Sequence, residues 1–144
     1  MADAKRTFEG SCRSTVTPEE AWAAWTDPSI WPGGPIAAAK MNGPFEVGAK
    51  IKVRVKGYTP VTSTVTRIES PRLWTGVAKT PGLTMTIDHV IDPAETGVLL
   101  TERMVLSGPL AGVVARLMGR RLESTYAATT AHGAKLAEAR AAGT

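Results

Sequence analysis

The stretch from Ser107 to Ala141, SGPLAGVVARLMGRRLESTYAATTAHGAKLAEARA, decides the fold. Ser107-Gly108-Pro109 interrupts what precedes it. Beyond it no proline occurs and Ala, Leu, Arg and Glu dominate, so one long helix is expected from about Pro109 to Ala141. At about 1.5 Å per residue this helix is roughly 50 Å long, more than the width of a small domain. Its inward stripe is Met118, Leu122, Tyr126, Thr129, Gly133 and Leu136. That stripe is poor in large aliphatics: a helix that only packed a core would carry Leu or Ile where Thr129 and Gly133 stand. Small residues there leave room for something else. Continuity through Gly119 stays open, since a mid-helix Gly costs about 1 kcal/mol relative to Ala.

Upstream of the helix, turn signals at Asn42-Gly43-Pro44, Gly57, Ser70-Pro71, Pro81-Gly82 and Asp92-Pro93 divide the chain into short runs. Six strands are expected, over Ala37 to Asn42, Lys50 to Lys56, Val61 to Ile68, Leu73 to Lys79, Leu83 to Ile91 and Val98 to Leu106. With an opening strand over Thr7 to Ser14 they make seven. Short turns and no intervening helical pattern argue an antiparallel meander. Between the first two strands, Thr17, Pro18 and Glu20 form a capping-box start for a helix carrying Ala21, Trp22 and Trp25, which stops at Thr26-Asp27-Pro28. A second short helix, Pro28 to Trp31, ends in Pro32-Gly33-Gly34-Pro35.

The composition bounds the function. With 144 residues, 43% hydrophobic and 21% charged, the chain is read as one α+β domain over 1–144, large enough to bury a core. A lone cysteine, Cys12, allows no disulfide framework and no thiol metal cluster, and it reads as a small strand residue. No run approaches the roughly 18 apolar residues of a membrane span and the first ten residues carry no leader pattern, so a cytoplasmic protein is expected. The net charge of +4 raises nucleic acid as a partner. However, Lys50, Lys52, Arg54 and Lys56 alternate with Ile51, Val53 and Val55, the pattern of a solvated outer sheet face, and only Tyr58 lies near to stack on a base. No nucleic-acid partner is expected.

The order of these elements, with Val16-Thr17-Pro18-Glu19-Glu20-Ala21-Trp22, Trp25-Thr26-Asp27-Pro28 with Trp31-Pro32, Gly43-Pro44-Phe45 with Val47-Gly48, and Leu106-Ser107-Gly108-Pro109-Leu110, resembles the SRPBCC (START/Bet v1-like) superfamily, in particular its polyketide cyclase/dehydrase and lipid-transport branch. The resemblance covers nearly the whole chain. It implies a helix-grip fold, a curved seven-stranded antiparallel sheet with two short helices and a long C-terminal helix, enclosing a deep cavity for hydrophobic small molecules. It implies no particular reaction, because the superfamily holds carriers, sensors and enzymes.

Within such a cavity the strands from Leu83 and Val98 carry the chemistry. If they pair with Ile91 near Val98, Leu83, Met85, Ile87, His89 and Ile91 face inward, as do Val98, Leu100, Glu102, Met104 and Leu106. His89 then stands opposite Leu100 and diagonal to Glu102. The two titratable groups either satisfy each other structurally or form an acid/base pair for enolisation, dehydration or cyclisation, with Glu102 raising the basicity of His89. Trp31 or Trp74 is expected to wall the pocket and stack on a planar ligand. Tyr126 either donates to a ligand carbonyl or is plain core. The expected ligand wall is thus Trp31, Trp74, Met85, Ile87, His89 and Leu100, continued by Glu102, Met104, Met118, Leu122, Tyr126 and Thr129. The other histidine, His132, sits on the last helix, and two histidines with one glutamate at unrelated spacings form no ligand motif, so no metal is expected, and no cofactor. The reading is a carrier or sensor of an apolar, ring-containing molecule, monomeric or homodimeric, with a cyclase or dehydratase-like enzyme as the alternative.

Overall fold

A computed structural model describes residues 6–143. The first five residues, on which the reading of the N-terminus partly rests, lie outside the described residues. The elements run β1 (Thr7–Ser14), α1 (Pro18–Trp25), a 3-10 turn (Pro28–Ile30), β2 (Ile36–Met41), β3 (Lys50–Val55), β4 (Val61–Glu69), β5 (Leu73–Thr80), β6 (Leu83–Pro93), β7 (Val98–Ser107) and α2 (Ala111–Ala142). The seven strands form one antiparallel sheet in the order β1-β7-β6-β5-β4-β3-β2. Each consecutive strand from β2 to β7 lies beside its predecessor because its connection is short, while the helical excursion after β1 sends that strand to the far edge, beside β7. Register shifts in the β2/β3 and β4/β5 pairs add local twist to a sheet that must curl around a helix. This is the helix-grip fold.

Local chemistry explains the helix starts. Thr17 accepts from the Glu20 amide while the Glu20 carboxylate accepts from the Thr17 amide, and Pro18 takes the first turn, where its missing N–H is harmless. By contrast, α2 begins at Ala111, behind Leu110 and with no side-chain cap, two residues after the expected start. It is nonetheless continuous over 32 residues, through Gly119, where the ring of Phe8 lies against the helix.

The sheet and α2 meet closely at one point. A Cβ on Gly10 of β1 would lie 2.3 Å from the Tyr126 carbonyl oxygen, so only glycine lets the two backbones touch there. Buried clusters lie along the helix on both sides of this contact: Val16, Trp25, Ile91, Val98 and Leu100 toward its C-terminal end, Phe8, Met104, Leu106, Ala111 and Ala115 toward its start. A third cluster, Ile51, Val65 and Trp74, fills the curl of the sheet.

Candidate functional site

Between the curl of β3 to β7 and the inner face of α2 lies a cavity of about 360 Å³. Every expected stripe residue of α2, from Met118 and Leu122 through Tyr126, Thr129 and Gly133 to Leu136, lines it. Along β6 and β7 the period-two pattern delivers Leu83, Met85, Ile87 and His89 on one strand and Glu102, Met104 and Leu106 on the other. Strand β3 contributes Ile51, Val53 and Val55, and keeps Lys50, Lys52 and Arg54 exposed on its outer face, as its alternation predicts.

The register of β6 against β7 differs from expectation. Ile91 pairs with Leu100 and Pro93 with Val98, because β6 runs on by two residues to a four-residue turn while β7 starts at Val98 as expected, so the hairpin is two residues out from the predicted pairing. A two-residue shift preserves the faces but changes the partners. His89 therefore stands directly opposite Glu102. Leu100 moves out of reach: it is fully buried in the cluster of Val16, Trp25 and Ile91 and does not line the cavity.

His89 and Glu102 approach to 3.6 Å between Nε2 and Oε2, with side chains 14% and 13% exposed. The other imidazole nitrogen, Nδ1, lies 3.3 Å from the Trp74 carbonyl, which can only accept. Nδ1 therefore carries the hydrogen and the Nε2 lone pair faces Glu102. The carboxyl is held from behind: Thr129 donates to Oε1 at 2.8 Å, and the hydroxyl of the fully buried Thr130 lies 3.1 Å from the same oxygen and 2.6 Å from the Tyr126 carbonyl, sharing its one proton between them. Burial disfavours charge on both partners. It lowers His89 from 6.5 to about 3, against the raising effect of backbone contacts from Trp74 and Ile87. It raises Glu102 from 4.5 to about 7, against the threonine hydrogen bonds. The expectation that Glu102 makes His89 more basic is thus reversed by desolvation, and the pair rests as a neutral imidazole beside a carboxyl that holds its proton up to neutrality. Tyr126, whose hydroxyl donates to the Met104 sulfur at 3.3 Å, is also pushed upward, by burial first and the Glu102 charge second.

The aromatic groups form one stack. His89 lies on Trp74 with ring centroids 3.6 Å apart and planes 5° apart, Trp31 lies over Trp74 at 6.0 Å, and Trp25 meets His89 edge-on at 5.9 Å. Trp31 and Trp74 both line the cavity, but Trp74 is 2% exposed and one of its faces is covered by the imidazole. The room expected beside Thr129 and Gly133 is also partly taken. Thr129 turns its hydroxyl to Glu102, and a Cβ on Gly133 would lie 2.5 Å from the indole nitrogen of Trp25. Gly133 accommodates a tryptophan as well as bordering the cavity. Sequence reasoning left Trp25 to packing and omitted Ile51, Val53, Val55 and Tyr58 from the wall, although the alternation of β3 had already turned its three aliphatics inward.

The cavity reaches solvent at one end. Thr59, between β3 and β4, and Thr80, at the end of β5, are exposed and also line it, facing Val114 and Met118 of α2. Beside this mouth the β3–β4 turn is tied to α2: Tyr58 and Thr125 share a hydrogen bond of 2.8 Å, and the Arg121 guanidinium donates to the Gly57 carbonyl and lies 4.4 Å above the Tyr58 ring. His132 lines the cavity too, away from His89 and Glu102, with its Nε2 2.8 Å from the Trp31 carbonyl. Among the described residues no group of three His, Cys, Asp or Glu could hold a metal ion.

Comparison with known proteins settles the family. The family model described as polyketide cyclase/dehydrase and lipid transport matches residues 5–138. The chain belongs to this family. It is an SRPBCC-superfamily member, as the motif order implied. No curated protein matches the sequence. Among solved structures, the di-domain ARO/CYC StfQ from the steffimycin biosynthetic pathway superposes with a TM-score of 0.74 at 13% identity, over 95% of this chain but 52% of that one. This family member thus spans about half the length of that di-domain protein. Norcoclaurine synthase from Thalictrum flavum, in complex with dopamine and hydroxybenzaldehyde, gives 0.71 at 8% identity, over 96% of this chain and 87% of that one. A Rhodobacter sphaeroides protein gives 0.69 at 21% identity, over 93% of both. At these identities the likeness is one of fold.

Proposed function

We propose that this chain binds an apolar, ring-containing small molecule in its cavity, as a cytoplasmic carrier or sensor. The observation that carries the reading is the cavity itself: about 360 Å³, open at one end, walled largely by aliphatic, methionine and tryptophan side chains, with His89, Glu102, Tyr126 and Thr129 among its polar groups. That volume lies within the roughly 300–1,000 Å³ of small-molecule sites, and a few convergent polar groups on an apolar wall are what orient such a ligand. Trp31, Met85, Ile87, Met104, Met118 and Leu122 are the proposed apolar contacts. The protonated Glu102 carboxyl is the proposed donor to a ligand carbonyl or hydroxyl. Trp25, Trp31 and Trp74 border the cavity, so occupancy reports itself in tryptophan fluorescence. Titration with a hydrophobic probe such as 1-anilinonaphthalene-8-sulfonate should quench that emission saturably, and native mass spectrometry should show a one-to-one complex. A wild-type chain with no affinity for any hydrophobic probe refutes the proposal.

One observation favours a second reading, a cyclase or dehydratase-like enzyme: an imidazole and a carboxyl face each other at 3.6 Å within the cavity. In a dehydration, Nε2 of His89 would take a proton from the carbon next to a ligand carbonyl while Glu102 gave its proton to the departing hydroxyl, releasing water. A turnover assay on β-hydroxyketones tests it. Activity left intact in both His89→Ala and Glu102→Ala removes these roles.

A further inference from the structure

The first turns of α2 present two faces of opposite purpose. Val114 and Met118 look into the cavity, while Leu110, Val113 and Leu117, at i, i+3 and i+7, are 46%, 57% and 78% exposed. Large apolar side chains left in water at helical spacing mark a surface that is covered in use. The charge on these turns is basic. Arg116 and Arg120 are exposed beside Leu117, Arg103 is taken up by Glu9, and the first acidic residue along the helix is Glu123, one turn past Arg120. The Arg6 guanidinium lies over the same helix turn, 3.2 Å from where a Gly112 side chain would begin. Lys79 leads into the β5–β6 turn, whose Gly82 packs against Leu110. The patch therefore adjoins the cavity mouth at Thr80 and shares its helix with the cavity wall.

We propose that this face seats on an anionic lipid bilayer, with Leu110, Val113 and Leu117 entering the interface and Arg6, Arg116 and Arg120 meeting the acidic headgroups. An apolar stripe ringed by arginines complements such a surface in both hydropathy and charge, and its binding energy adds apolar burial to electrostatic attraction. The contact is peripheral, since no described helix is long and apolar enough to cross a membrane. It brings the mouth of the cavity to the bilayer, so an apolar molecule could pass between lipid and protein without crossing water.

Co-sedimentation of the full chain with vesicles of phosphatidylcholine alone, and of phosphatidylcholine mixed with phosphatidylglycerol, tests the idea. Binding is expected to the mixed vesicles only, and should weaken with added salt. Leu117→Glu should reduce it by about tenfold or more, and Arg116→Gln with Arg120→Gln by roughly 30-fold, in proteins whose thermal melts match the wild type. Lys52→Gln with Arg54→Gln, on the outer face of β3, should leave it nearly unchanged. The proposal fails if mixed vesicles do not retain the chain, if the β3 variant rather than the α2 variants abolishes retention, or if Leu117→Glu only converts a dimer to a monomer in sedimentation. Filling the cavity with Met118→Trp should remove most probe binding and spare vesicle binding, which separates this inference from the ligand reading.

Discussion

At the scale of single residues, the His89–Glu102 pair makes a prediction whose sign follows from the two opposed shifts. Between pH 4.5 and 6.5 the folded chain keeps the Glu102 proton and lacks that of His89, while the unfolded chain does the reverse, so the pair contributes no slope there. From 6.5 to about 7 only the folded state still holds a proton, and stability falls as pH rises; below 4.5 the unfolded state holds both, and stability falls with acid down to about 3. Glu102→Gln removes the carboxyl's share. Its melting temperature relative to wild type should therefore climb steadily between pH 4.5 and 7, and a constant difference would show that Glu102 is not raised. Gly133→Ala is expected to destabilise by about 1–3 kcal/mol in urea titrations, because its methyl group meets the Trp25 indole and the core must shift to admit it. Both residues could be named from the pattern of strand and helix, but their neighbours could not. Faces follow from a period of two or of 3.6, whereas the pairing of His89 with Glu102 depends on where a turn begins, and the use of Gly133 depends on a tryptophan more than a hundred residues away.

At the scale of elements, the sequence was most informative where a chemical signal is local. The capping box of α1 involves contacts within four residues, and it forms as read. Thr17→Ala should lower stability by about 1 kcal/mol, seen as a lower urea midpoint at unchanged slope. The strands begin and end within a few residues of their turn signals, and β6 overruns its own because Asp92 and Pro93 still pair with Leu99 and Val98. A proline at the end of a strand is no obstacle where its missing N–H faces no partner. The start of α2 was less legible: with no capping side chain, the helix begins where Leu110 and the Gly108 turn let it, a tertiary matter involving Gly82.

At the scale of the molecule, the long helix was read as a pocket wall because it lacks large aliphatics, and its stripe does line the cavity from Met118 to Leu136. What no local pattern conveys is the shape of the space, which is set by strand curl, by an aromatic stack assembled from α1, the loop after the 3-10 turn, β5 and β6, and by a mouth between two turns. Met118→Trp should remove most probe affinity while leaving the melting temperature unchanged or higher, measured by fluorescence titration alongside calorimetry, since it exchanges empty volume for apolar contact. The backbone contact at Gly10 adds a constraint of a different kind. At Gly10, where β1 comes closest to α2, main chain meets main chain with no side chain between them to be exchanged, and no residue of β1 lines the cavity. Point substitutions therefore have little with which to enlarge or reshape the pocket on that side. Diversification toward new ligands must proceed through β3 to β7 and the facing side chains of the helix, so the evolvability of this scaffold is one-sided.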